Sequence, residues 1–309
     1  MVTTLIITRA VHIGASILIA GIFTFDLVTL GLAGPVKSDL HEIDRRLFSL
    51  ALWSLLVSLV SAVLWFWLEV ANMNGLSFVD ALSARAWQKV LFETVFGHLW
   101  LLRLGIIAVA LVLAVSQLAG NDVPRRPAIL ALWSLSIVLL VSLAWISHAA
   151  AAGVQPISLI GDALHLCAAG GWIGGLVPLA IFLARVRVSS SLSEMAAQVL
   201  HRFSVLSLSC VSVLVVSGIS NSWLLVGSVH ALLTTPYGRL LLFKLMLFGI
   251  LIAFGARNRF FVKAMPLRAP VGRNVLAQLR RNVTFEACLG AAVVVIVACL
   301  GVTPPARHP

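Results

Sequence analysis

Charge is what this sequence has least of. Only 11% of its 309 residues are charged and 61% are hydrophobic, where a soluble domain carries about a quarter charged residues. With a mean hydropathy of +1.06, a water-soluble fold is excluded. Acidic residues are the scarcer sign, 11 Asp and Glu against 22 Lys and Arg. The four cysteines, Cys167, Cys210, Cys288 and Cys299, stand singly within apolar runs and form no CxxC pair, so neither a disulfide framework nor a zinc knuckle is expected, and they read as small buried residues. No HExxH pair, nucleophile and base arrangement or carboxylate dyad appears, which removes the usual supports for hydrolysis, and no enzymatic activity is expected. The glycine run Gly170-Gly171-Trp172-Ile173-Gly174-Gly175 lacks the strand before it that a phosphate loop needs, and its GxxxG spacing fits close helix packing. No cleavage site follows the first apolar run, so that run reads as a retained helix.

What is present is one long apolar run after another. About 20 apolar residues cross a bilayer as a helix, and eight such segments are predicted, at 5–32, 47–71, 97–119, 128–151, 158–184, 203–226, 239–256 and 283–302. The fold expected is an all-α polytopic membrane protein, a single integral membrane domain over 1–309. The stretch 72–96 reads as an extramembrane loop with a short helix. Loops 33–46, 120–127, 185–202 and 257–282 hold fifteen of the 22 Lys and Arg. By the positive-inside rule these loops are cytoplasmic, which puts both termini on the outer, periplasmic side of a bacterial inner membrane. The basic excess is thus topological, and no nucleic acid is expected as a partner; the surrounding partner is lipid.

The two halves of the chain echo one another. Ala10-Val11-His12-Ile13 with Gly21 in the first helix is matched by Ala163-Leu164-His165-Leu166 with Gly174 in the fifth. The third helix opens Thr94-Val95-Phe96-Gly97-His98-Leu99 and reaches Arg103; the seventh opens Thr235-Pro236-Tyr237-Gly238-Arg239-Leu240 and reaches Lys244. Phe48-Ser49 and Phe203-Ser204 begin the second and sixth. These pairs predict a four-helix unit used twice, about 1–151 and about 155–303. Because four is even, the halves are parallel, related by a pseudo-two-fold axis along the membrane normal.

Of eight histidines, His41 and His201 fall on the cytoplasmic side, His230 in an outer loop and His308 at the terminus. His12, His98, His148 and His165 lie in the outer ends of helices, with His12 and His165 about 10 Å below the outer surface at 1.5 Å of rise per residue. Ionisable groups inside a bilayer are costly and mark pathways or cofactors. Imidazole suits copper, zinc and haem iron, and a metal-bound imidazole needs a partner for its second nitrogen. Asp162 and Trp172 share the face of His165, Ser147 precedes His148, and His12 and His165 are expected to face each other across the halves. Arg103 and Lys244 either snorkel to the interface or pair with a carboxylate such as Glu93 or Asp162 or with an anionic ligand. Asp26, near the cytoplasmic end of the first helix, reads as a helix-end carboxylate meeting headgroup water or as a relay on an ion path.

These residues resemble the copper resistance protein D family of bacterial inner-membrane proteins. The likeness rests on Ser147-His148-Ala149, on His165-Leu166 with Gly171-Trp172-Ile173-Gly174-Gly175-Leu176, on Thr235-Pro236-Tyr237-Gly238-Arg239-Leu240-Leu241 with Lys244, and on Phe96-Gly97 through Trp100 to Arg103. It covers about 90–300, extended by the histidine of the first helix. The resemblance implies movement or handling of copper ions across the inner membrane, beside a periplasmic copper-binding protein of the CopC type, with His148 and His165 at a copper site. His98 lies near the same surface, and a homo-oligomer is compatible with the pattern. The chain departs from a soft Cu(I) site in having five methionines and no methionine-rich tract. A second expectation comes from the residues alone: paired intramembrane histidines with Arg103 and Lys244 nearby could hold haem b in a redox protein.

Overall fold

The computed structural model describes residues 1–31, 39–120, 124–148, 156–186, 190–266 and 271–305; the side chains of a few helix-end residues, Ser147 and His148 among them, lie outside the description, as does His308. Among the described residues eleven α-helices follow one another: α1 (Val2–Phe25), α2 (Asp39–Asn74), α3 (Ala84–Glu93), α4 (Val95–Leu118), α5 (Arg125–His148), α6 (Pro156–Ala169), α7 (Gly175–Val186), α8 (Ser190–Val226), α9 (Val229–Thr234), α10 (Pro236–Lys263) and α11 (Arg273–Leu300). A π-helical turn, Asp26–Leu30, ends the first span, and another, Gly170–Gly174, joins α6 to α7. No strand occurs among the described residues. Among the described residues eight helices are long and apolar enough to cross a membrane: Val2–Leu30, His41–Asn74, Val95–Leu118, Arg125–Ile146, Leu159–Val186, Met195–Val226, Pro236–Lys263 and Arg273–Leu300. The chain is therefore an all-α polytopic membrane protein.

The helices run further than the apolar segments do, chiefly at the basic end, where α2, α8 and α11 begin in polar residues. Arg, Glu, Gln and Leu keep helical preference outside the bilayer, so hydropathy marks the membrane rather than the helix. Between α2 and α4 the chain makes a short 3₁₀ turn, Asp80–Leu82, and the amphipathic α3, as expected for 72–96.

The starts of α4 and α10 are built alike. Thr94 Oγ1 accepts from Gly97 N at 3.0 Å and donates to Val90 O at 2.6 Å; Thr235 Oγ1 accepts from Gly238 N at 3.0 Å and donates to Ala231 O at 2.7 Å. Each threonine thus caps the new helix and ties down the short helix before it. A Cβ on Gly97 would strike Val90 O, and one on Gly238 would strike Leu232 O. The T-x-aromatic-G pattern is the signature of this tight corner.

Packing closes two rings of helices. In one, α1 packs on α2, α2 on α4, α4 on α5 and α5 on α1; in the other, α6 packs on α8, α8 on α10, α10 on α11 and α11 on α7. The rings meet where α1 packs on the π turn, α7 and α11, and where α5 packs on α6. At the centre the backbones touch: a Cβ on Gly21 would overlap the backbone of Gly174, and one on Gly174 would overlap Ile17 O. Inside a bilayer, apolar association gives little drive between helices, so such close backbone approach supplies van der Waals contact instead.

Candidate functional site

Each ring encloses one of the predicted histidines, toward the end at which α1 begins. In the first ring His12 is fully buried. Its Nδ1 lies 3.1 Å from Ser58 O and 3.0 Å from Ser61 Oγ. A carbonyl can only accept, so Nδ1 carries the proton, and Nε2 accepts from Arg103 Nη2 at 2.5 Å. Arg103, also fully buried, donates through Nη1 to Leu139 O at 2.8 Å and to Ser142 Oγ. Trp100 stacks on His12 with centroids 6.0 Å apart, Trp65 meets it edge-on at 5.6 Å, and Trp100 Nε1 donates to Ala62 O at 3.0 Å. Arg9, one turn before His12, lies over the Trp65 ring at 4.7 Å. Arg103 therefore neither snorkels nor meets a carboxylate: its planar fork serves three acceptors at once.

In the second ring His165 is half-buried. Its Nδ1 lies 2.9 Å from Ser217 Oγ, and that hydroxyl donates to Val213 O at 2.6 Å. With its proton committed, the serine oxygen accepts, so Nδ1 again carries the imidazole proton. Among the described residues, no donor reaches Nε2, which is left as a lone pair. Lys244 and Asp162 both stand close enough to act on His165 electrostatically, and Asp162 Oδ1 accepts from Asn221 Nδ2 at 2.5 Å. The expected second-nitrogen partner of a metal-bound imidazole is thus a serine on the neighbouring span.

The remaining predicted residues separate. His98 is exposed at the start of α4, its Nε2 3.1 Å from Phe92 O. His148 ends α5, its side chain outside the described residues. Trp172 is buried in the π turn beside Phe248 of α10, at 6.2 Å. Asp26 is no headgroup carboxylate: it is buried, and Arg125 Nη2 binds its two oxygens at 3.1 and 2.9 Å while also reaching Asp44 at 2.7 Å. Burial at a π turn exposes it to α5 rather than to water. His12 and His165 each turn to a serine of their own ring. The haem expectation gains nothing from this arrangement, because paired axial ligation needs a free nitrogen on each imidazole and that of His12 is held by Arg103.

The sequence reading passed over several residues. Ser61 and Ser217 look ordinary in helices rich in serine. Asn221 and Trp65 stand one turn beyond those serines. Glu286 left a plainer signal, a single carboxylate within the last apolar run, and it sits buried with Asn258 and Asn282.

Eight spans with ionisable side chains enclosed among them define a polytopic helical membrane protein. Residues 197–300 match the family Copper resistance protein D, and residues 1–156 match the family Copper resistance protein D-like, N-terminal domain. The chain belongs to the copper resistance protein D family. It is 32% identical to Copper resistance protein D of Pseudomonas syringae pv. tomato over 92% of this chain and 91% of that protein. It is also 26% identical to the Copper transport protein CutJ of Bacillus subtilis, over 72% of this chain and 39% of that longer protein. Inner membrane protein YebZ of Escherichia coli is 29% identical over 82% of each chain. No solved structure matches the chain.

Proposed function

We propose that the protein moves copper across the bacterial inner membrane, as cargo, and that His165 is the ligand that first holds the ion. The observation that carries this reading is the lone pair of His165 Nε2, left free by the Ser217 hydrogen bond. Neutral imidazole with its other nitrogen fixed is a suitable copper ligand. His148, at the end of the helix that packs on α6, is the second ligand, and His98 at the surface receives copper from a periplasmic protein of the CopC type. His12 enters the path only when Arg103 releases its Nε2. The copper resistance and copper transport relatives support the cargo, and the inner-membrane relative supports the location. Fifteen basic residues in loops at one end support a topology with both termini periplasmic. The two rings are the products of one duplication, about 1–151 and about 155–303; the matching threonine corners and paired histidines support it.

Copper titration of the purified protein tests the site. Wild type binds copper stoichiometrically, and His165→Ala weakens binding by about a hundredfold, the scale of losing a metal-site residue. Absence of copper binding in wild type, or unchanged affinity in His165→Ala, overturns the reading.

A further inference from the structure

At the other end of the second ring lies a polar cluster that copper ligation does not use. Glu286 stands midway along α11 and is 2% exposed. Asn258 Nδ2, from α10, donates to its Oε1 at 2.5 Å, and Asn282 Nδ2 donates to Asn258 Oδ1 at 2.8 Å. Among the described residues, Oε2 receives no hydrogen bond. It faces Gly255, where an added Cβ would sit 3.8 Å from Oε2 and 3.6 Å from Trp172 Cζ2.

The charged groups of every element packed on α11 are engaged elsewhere. On α10, Arg239 is exposed, Lys244 stands by Asp162 and His165, Arg257 lies 6.0 Å from the Phe261 ring, Arg259 binds Ser204, and Lys263 ends the helix, exposed. On α7, Arg185 binds Glu42. On α1, Arg9 covers Trp65 and His12 holds Arg103, and in the π turn that ends this span Asp26 holds Arg125. The π turn Gly170–Gly174 carries no charged residue, and Arg273, Arg280 and Arg281 of α11 itself are exposed. Among the described residues, no cation forms an ion pair with Glu286.

A carboxylate without a counter-ion inside a bilayer is costly, and two cations could relieve it. A hard metal ion takes about six oxygen ligands, and here one carboxylate oxygen is free. A proton needs only that one. The Asn282 and Asn258 amides stand between Glu286 and the level of Arg280 and Arg281, so the approach is polar from the basic end of the molecule and closed by Trp172 on the other side.

We propose that Glu286 is a proton-binding site, loaded and emptied from the basic end, and that its proton exchange accompanies cargo movement; this last clause rests on the copper reading above. The step is proton uptake by the carboxylate to give the carboxylic acid, and its reverse, with no change in electron count. Asn258 continues to donate to the carbonyl oxygen in both states.

Two measurements test it, on the full chain in lipid. In infrared difference spectra between acid and alkaline pH, wild type shows a buried carboxylic C=O band that Glu286→Gln lacks and that Asn258→Leu shifts. Gln keeps the acceptor for Asn258, so the variant retains the hydrogen-bonded frame. Identical difference spectra in wild type and Glu286→Gln overturn the proposal, whatever the protein does with copper. In vesicles carrying a pH dye, a copper gradient drives proton movement through wild type, and Glu286→Gln loses it while still binding copper. Copper movement with no proton movement in wild type overturns the coupling. If wild type moves no copper, the copper reading has failed, and the infrared band alone decides whether Glu286 binds a proton.

Discussion

His12 and His165 both donate Nδ1–H to a serine of the next long helix, and in each case that serine passes its own proton to the carbonyl one turn back. They part company at Nε2. In the first ring Arg103 fills it and ties Leu139 and Ser142 into the same fork, with two tryptophans covering the imidazole. In the second ring Lys244 occupies the corresponding place on its helix as a point charge, near His165 without a hydrogen bond to it. Three residues before each histidine the exchange repeats: Arg9 lies on Trp65, whereas Asp162 accepts from Asn221. One polar frame is closed by an arginine and two tryptophans, and in the other, among the described residues, the second imidazole nitrogen meets no donor.

The strongest way to break this comparison is to remove the arginine. Arg103→Ala strips His12 Nε2 and Ser142 Oγ of their donor, takes one of two side-chain donors from Leu139 O and leaves a cavity, and is expected to lower stability by about 3 kcal/mol or more. Lys244→Ala, with no hydrogen bond to lose, should cost less than about 1 kcal/mol. Thermal unfolding of both variants in detergent reads the difference; equal losses would mean that the two rings use their cations in the same way.

Next in size is the seam that both rings share. Gly21→Ala drives a methyl into the backbone of Gly174, where no side chain can swing aside, and should cost about 2 kcal/mol by overpacking. Unfolding of the intact chain should then shift whether or not copper is present. An unchanged transition would indicate that the rings are only loosely docked.

Converting one ring into the other is a finer test. Lys244→Arg offers His165 the planar fork that holds His12, and copper affinity should fall about tenfold, near 1.4 kcal/mol. The reciprocal Arg103→Lys frees His12 Nε2. Competition titration with a copper indicator measures both. If Lys244→Arg binds copper as wild type does, the free lone pair is not what admits the metal.

Much of this was legible in the sequence because bilayers make strong demands. The eight spans follow from apolar runs of bilayer length, and the T-x-aromatic-G corner appears twice in letters before it appears twice in space. What the histidines bond to was not legible. Ser61 is one of several serines on α2, Ser217 one of several on α8, and only the helix pairing decides which serine meets the ring. Asp26 was misjudged for the same reason: its partner, Arg125, comes from a loop-proximal position a hundred residues away in effect, and nothing local announces it. Glu286 could have been found, since a lone acid in an apolar run is itself a signal.

The smallest expected effect falls where the rings are alike. Thr94 and Thr235 make the same pair of hydrogen bonds at nearly the same lengths, and both precede a glycine pressed against the preceding short helix. Thr94→Ala and Thr235→Ala each remove a helix cap, at about 1 kcal/mol, and should lower the unfolding midpoint equally while leaving copper affinity untouched. A clear inequality between them would show that the corners differ in their surroundings, placing the divergence of the rings in their frame as well as in the arginine and tryptophans at its centre.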